Sequence, residues 1–148
     1  MSGGEAIAIL RRLAAGQPAE GDLGAVAERL ADYLSRASTG YSLDDAFGLS
    51  VGAGGEPWYA RERREARDRE LCGLVQRFAK PGTSVRERAL WLQVLVKRYA
   101  SDSWPRDRAT GVMPMHYPGS EREYLFRAFM HCPAPTSDRQ LRTILSGN

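Results

Sequence analysis

Apolar residues along this chain recur with the spacing of α-helices rather than of β-strands. In residues 3–15 they fall on one side of a helical wheel, as Ile7, Leu10 and Ala14. Residues 20–37 repeat the i, i+3, i+4, i+7 pattern with Leu23, Val26, Ala27, Leu30 and Leu34. Because Gly16 and Pro18 interrupt the pattern between these segments, the sequence predicts two helices paired as a hairpin.

Capping boxes predict where further helices begin. In a capping box, a serine and a polar side chain three residues later satisfy free amides of the first helical turn. The pattern or a close variant occurs at Ser42–Asp45, Ser84–Glu87, Ser120–Glu123 and Ser137–Gln140. Pro57 marks the start of one more helix, whose first part, residues 61–70, is almost wholly charged. Four apolar residues, Leu71, Leu74, Val75 and Phe78, then continue that helix toward a buried end.

One helix is predicted to form the core. Over residues 84–100 most apolar side chains share a broad arc, while Leu90 and Val94 fall on the opposite side. A helix that is apolar on both sides is typical of a central position, so we expect both faces to be buried. Residues 101–119 contain three prolines and no sustained period, which predicts a long irregular connection.

These patterns predict an all-α protein, a small bundle of about six helices with a C-terminal helix-turn-helix-like pair. The four glycines between residues 48 and 55 indicate a linker. We therefore expect an N-terminal helical hairpin or support region over residues 1–50 and a main helical domain over residues 51–148. A single domain is the alternative, because 148 residues suffice for one continuous core.

Composition and charge reduce the number of function classes that the sequence is compatible with. Apolar residues make up 43% of the chain and charged residues 26%, which is typical of a globular protein. The longest apolar stretch, residues 89–96, is far shorter than the roughly 20 residues that span a bilayer. No signal peptide is recognisable, so we expect a cytoplasmic protein without a membrane partner. Residues 80–148 carry eleven lysines and arginines against six acidic residues, whereas residues 1–79 carry ten against twelve. The basic half is the region where an anionic partner is expected.

The last predicted helix carries side chains suited to DNA. Its period places Leu141, Ile144 and Leu145 inward and leaves four polar residues outside or on the flank: Arg139, Gln140, Arg142 and Thr143. Arginine can bind guanine, glutamine adenine, and threonine a phosphate or a thymine methyl group. With its preceding helix, the segment 120–146 resembles the second and third helices of a helix-turn-helix DNA-binding unit. The resemblance implies that residues 84–100 act as the supporting first helix.

A second cationic set follows the predicted core helix and would neutralise phosphates of the DNA backbone. It consists of Lys97, Arg98, Arg106 and Arg108. Tyr99 and Trp104 are interleaved with these cations, and aromatic rings can stack on bases. The alternative is that both rings belong to the core and that Arg106 pairs with Asp102 or Asp107.

The rival to a DNA-binding regulator or accessory protein is a helical adaptor that binds another protein and no nucleic acid. Its surface would be the charged helix at residues 57–70, or the apolar excess of Phe126 and Met130. A homodimer is compatible with both functions. Catalysis is not expected, because His116 and His131 have no recognisable partners. The separated residues Cys72 and Cys132 give no zinc spacing, so no metal or other cofactor is expected.

Overall fold

The computed structural model of the protein describes residues 1–147. Among them it contains eight α-helices, one 3-10 turn and no β-strand, so the predicted all-α class is confirmed. The contacts divide the chain into two compact units, Met1–Ala60 and Arg61–Asn148. That the N-terminal region acts as a support for the rest of the chain stays a prediction.

The first unit contains three α-helices: α1 (Gly3–Ala14), α2 (Asp22–Arg36) and α3 (Leu43–Ala46), with the 3-10 turn at Ala37–Thr39 between the last two. Helices α1 and α2 pack against each other, as the predicted hairpin requires. Asp22 lies at the start of α2, is 4% exposed and accepts two hydrogen bonds from the Arg12 guanidinium, at 2.9 and 2.7 Å. These bonds lower the pKa of Asp22 and join the C-terminal turn of α1 to the first turn of α2.

The apolar stripe of α2 is only partly buried. Val26 packs against the small core of the first unit, which is built around Phe47. Leu23, by contrast, is 68% exposed and Leu34 is 74% exposed. The core cluster around Phe47 contains three buried residues, Ala6, Ala46 and Phe47, and a cluster of this size is too small to cover the whole stripe.

The second unit contains five helices: α4 (Trp58–Phe78, which begins just before it), α5 (Val85–Asp102), α6 (Trp104–Thr110), α7 (Glu121–His131) and α8 (Asp138–Ser146). Helices α6, α7 and α8 all pack on α5. The fully buried residues of α5 include Ala89, Leu92 and Val96. The prediction that residues 84–100 form the central helix is therefore confirmed.

The prediction that both faces of this central helix are buried is wrong. Leu90 is 44% exposed and Val94 is 56% exposed. The buried residues of α5 all fall on the arc that includes Leu92 and Val96, and the opposite side faces solvent. An apolar pair on a second face was therefore a poor guide to burial.

The predicted irregular connection over residues 101–119 is also wrong in its first half. Helix α5 continues to Asp102, and α6 follows after Ser103 alone. Pro105 stands in the first turn of α6, where its missing amide costs no helical hydrogen bond. The proline that suggested a break therefore helps to begin a helix.

A buried carboxylate ties α6 to α5 and to the connection that follows. Asp107 is 1% exposed and accepts hydrogen bonds from the hydroxyls of Tyr99 (2.9 Å) and Tyr117 (2.8 Å). Burial and these contacts raise the pKa of the Tyr99 hydroxyl, so it stays protonated and remains a donor. The connection is thus anchored at Tyr117 although it has no regular structure.

Two of the four predicted capping boxes are present. Ser42 with Asp45 caps α3, and Ser84 with Glu87 caps α5. The side chains of Ser120 and Ser137 do not cap α7 and α8 within the described residues. The hydroxyl of Ser120 instead donates to the Tyr117 carbonyl at 2.6 Å, because the buried tyrosine brings that carbonyl within reach.

Candidate nucleic-acid interface and adjoining groove

The C-terminal helix is ordered and anchored from one side, as its period predicts. Leu141 is fully buried in the core, and Ile144 and Leu145 pack against that core while remaining partly exposed. Helix α8 lies against α5, and the Gln93 side chain donates to the Thr136 carbonyl at 2.7 Å, just before α8 begins. Three inward residues therefore set the orientation of the outward face, and the Gln93 hydrogen bond holds the residue that precedes the helix.

All four predicted contact residues of α8 are exposed: Arg139, Gln140, Arg142 and Thr143. They differ in their electrostatic surroundings. The Arg142 guanidinium lies 3.2 Å from the Asp138 carboxylate, one helical turn earlier. Arg139 makes no salt bridge with any residue in the range 1–147. An exposed pair spaced i, i+4 is worth only a few tenths of a kcal/mol, so Arg142 can exchange its partner at small cost.

The second predicted cation set is divided by the structure. Lys97, Arg98 and Arg108 are exposed. Arg106 is exposed as well, but it donates to the Tyr117 hydroxyl at 3.3 Å and contacts the Asp107 carboxylate at 3.4 Å, and these contacts raise its pKa. Arg106 thus pairs with Asp107, one of the two partners that the alternative interpretation named.

The aromatic residues of that segment face the core. Tyr99 is 3% exposed, and Trp104 packs on Phe129 with ring centroids 5.3 Å apart. Neither ring is presented to a base, so any contribution of this segment to nucleic-acid binding would come from its cations.

A groove adjoins α8, and sequence reasoning did not foresee it. It lies between α4 and α8, with a volume of about 1010 Å³. From α8 it is lined by Arg139, Gln140 and Thr143, whereas Arg142 lies outside it. Lys97, Arg98, Arg106 and Arg108 do not line it either. The structure therefore joins part of the predicted α8 surface to residues of α4.

Much of the α4 side of the groove comes from the charged run at residues 61–70, which the sequence offered as a possible adaptor surface. Arg63 and Arg67 of this run donate to the carbonyls of His131 (2.7 Å) and Pro133 (3.1 Å), at the C-terminal end of α7. Arg67 also pairs with Asp68 at 2.6 Å. These contacts attach α4 to the segment that leads into α8, because cationic donors stabilise the free carbonyls of a helix C-terminus.

A weak signal for the groove exists in the sequence. Arg64, Asp68, Cys72 and Gln76 follow one another at intervals of four, and all four line the groove. Such spacing places side chains on one line along a helix. This line of side chains could be predicted from the sequence, but the helix that forms the opposite wall of the groove could not.

Charge and polarity differ between the rims and the floor of the groove. Arg64, Arg67, Arg69 and Arg139 are opposed by only two lining carboxylates, Glu65 and Asp68. The floor is apolar and includes Cys72, Gly73, Pro135 and Ile144. Burial raises the pKa of the Cys72 thiol, whose sulfur lies 3.6 Å from the Ile144 carbonyl. The groove is therefore a partly apolar site with a net positive rim.

The histidines lie outside this site. His116 is exposed and stacks edge-on against Tyr117, and His131 ends α7. Within residues 1–147 there is no group of three or more His, Cys, Asp or Glu side chains placed to hold a metal ion. Over the same range no helix is both long and apolar enough to cross a bilayer.

Comparison of the chain with protein-family models, with curated proteins and with solved structures finds no match in any of the three.

Proposed function

We propose that the second unit binds DNA through the outward face of α8, as a small cytoplasmic regulator or accessory protein. One observation carries the proposal. Leu141 holds α8 as an ordered helix, and its exposed face presents Arg139 free of any salt bridge within residues 1–147, next to the exposed Gln140 and Thr143. These are side-chain types that read base edges and phosphates in the major groove.

The arrangement of helices supports the resemblance to a helix-turn-helix only in part. Helix α7, a six-residue connection and α8 follow one another, and α5 supports both helices. The exposed cations Lys97, Arg98 and Arg108 add positive charge for backbone contacts, with Arg106 already engaged by Asp107. Because one such module reaches few bases, useful specificity requires a homodimer or a larger complex.

The test is the salt dependence of DNA binding. Binding of the full chain to duplexes of about 20 base pairs is measured by fluorescence anisotropy between about 50 and 200 mM salt. The double variant Arg139→Ala/Arg142→Ala should lower the slope of log K against log salt by about 0.9 for each phosphate that the protein no longer neutralises. A matched control, Lys80→Ala/Arg86→Ala, removes the same charge from exposed positions outside α8. No binding at low salt, or equal slopes in the two double variants, would refute DNA binding through α8.

The second candidate function is a protein-binding adaptor, and the groove favours it. Of the two adaptor surfaces expected from the sequence, the apolar one is reduced to Met130, because Phe126 is only 6% exposed. The charged helix keeps its relevance, since Arg64, Arg67 and Arg69 line the groove. The apolar floor of the groove has no group that binds a phosphate, but an apolar side chain of a partner protein can pack against it.

A further inference from the structure

The α4–α8 groove has the length of a short helix. Arg64 and Gln76, which line it at its two extremes on α4, are twelve residues apart. At the rise of an α-helix this separation is about 18 Å. A helix of about 12 residues, or three turns, spans the same length.

The floor of the groove is accessible to an apolar ligand. Cys72, Pro135 and Ile144 are each partly exposed, and Gly73 presents no side chain. A helix that places one apolar residue per turn against this strip would remove that surface from water, at about 25 cal/mol per Å². A phosphodiester backbone has no comparable apolar face. An extended strand would need a sheet edge to pair with, and residues 1–147 contain no sheet.

The rims determine the charge of the ligand. Arg69 on α4 and Arg139 on α8 are exposed and line the groove from its two walls. Asp68 is already paired with Arg67, which leaves Glu65 as the remaining opposing carboxylate. Carboxylates flanking an apolar stripe would therefore meet cations on both sides.

We propose that the α4–α8 groove binds an acidic amphipathic helix of about three turns from a partner protein. The apolar stripe of that helix lies on Cys72, Pro135 and Ile144, and its Asp and Glu residues pair with Arg69 and Arg139. This inference goes beyond DNA binding and does not depend on it. Since Arg139 belongs to both surfaces, a bound helix would also compete with DNA for one side chain of α8.

The probe is a labelled 14-residue peptide designed as a helix, with leucines at i, i+3, i+4 and i+7 and glutamates on both flanks. Anisotropy with the full chain should show saturable binding in the micromolar range typical of a small interface, about 1–100 µM. The variant Arg69→Glu/Arg139→Glu should weaken binding by about tenfold or more. The control Lys97→Glu/Arg98→Glu makes the same change of charge outside the groove and should leave the affinity within about twofold.

Two further measurements test the apolar floor and the sign of the rim. The bound peptide should slow the reaction of Cys72 with a thiol reagent, with Cys132 as the internal reference. A peptide with lysines in place of the glutamates should bind about tenfold more weakly. No saturable binding up to about 1 mM, equal weakening in the two charge-reversal variants, or an unprotected Cys72 would overturn the proposal. If duplex DNA protects Cys72 and the peptide does not, the groove is a nucleic-acid site instead.

The two proposals fail separately. Arg69 lines the groove and does not belong to α8, whereas Arg142 belongs to α8 and does not line the groove. If Arg69→Glu loses peptide binding and keeps normal DNA binding, the result supports peptide binding in the groove alone. If Arg142→Ala loses DNA binding and keeps normal peptide binding, the result supports DNA binding through the α8 surface alone.

Discussion

Replacing Leu141 by alanine should release α8 from the second unit. Leu141 is the one residue of α8 without solvent exposure, and Ile144 and Leu145 are only partly buried. Truncating a fully buried leucine costs 2–5 kcal/mol, and we expect about 3 kcal/mol here, because the neighbours of a peripheral helix can partly close the cavity. This corresponds to roughly a 150-fold shift in the equilibrium between the docked and released helix.

Release should also unfold the helix. α8 has nine residues, and an isolated helix shorter than about 12–15 residues is marginal in water. Hydrogen exchange of the amides in residues 138–146 should therefore accelerate by about two orders of magnitude in Leu141→Ala. DNA binding should fall with it, although Arg139 and Arg142 are still present.

The matched control is Gln140→Ala, an exposed neighbour on the same helix whose removal should change stability by less than about 0.5 kcal/mol. Urea unfolding of both variants supplies the free energies of unfolding. If Leu141→Ala costs less than about 1 kcal/mol and leaves exchange unchanged, α8 is held by something other than this side chain and the reasoning fails.

Two further predictions concern the first unit. A Cβ atom on Gly3 would lie 2.6 Å from the Gly48 carbonyl oxygen, so Gly3→Ala should destabilise the protein by about 1–3 kcal/mol. A Cβ atom on Gly4 would meet nothing within 4 Å, so Gly4→Ala should stabilise the protein by up to about 1 kcal/mol. Denaturation curves that shift in the same direction for both variants would contradict this prediction. Hydrogen bonds from Ser50 and Ser42 lower the pKa of Asp45 to about 2, so its stabilising effect is complete above its ordinary pKa near 4 and is lost as the pH falls toward 2. The Asp45→Asn variant should thus be less stable than the unmodified protein at pH 7, and the difference in stability should narrow at acid pH. Thermal melts of both proteins between pH 2 and 7 measure this difference, and a difference that does not change with pH would refute the prediction.

The sequence predicted the features that depend on local pattern. The inward side of α8 follows from the spacing of Leu141, Ile144 and Leu145, and the start of α5 from Ser84 and Glu87, because such contacts lie within a few residues of each other. The central position of α5 follows from the one broad apolar arc that contains Leu92 and Val96, and not from its second apolar face, which is exposed.

The features that were missed depend on residues far apart in the chain. Arg63 and Arg67 contact carbonyls 68 and 66 residues away, and contacts between residues so far apart in the chain leave no local pattern in the sequence. Helix α6 was missed because seven residues are too few for a period, and Pro105 signals a helix start as readily as a break. Burial of one face of α5 likewise depends on which helices lie beside it.

The buried Tyr117 divides the connection between α6 and α7 into parts that differ in their tolerance of engineering. Met115, two residues earlier, is 98% exposed, whereas Tyr117 has no exposed surface and donates its hydroxyl to Asp107. A reporter or affinity tag inserted beside Met115 would project into solvent and leave the Tyr117 ring in its buried position. The same insertion beside Tyr117 would pull an aromatic ring out of the core, so within this connection an insertion belongs beside Met115.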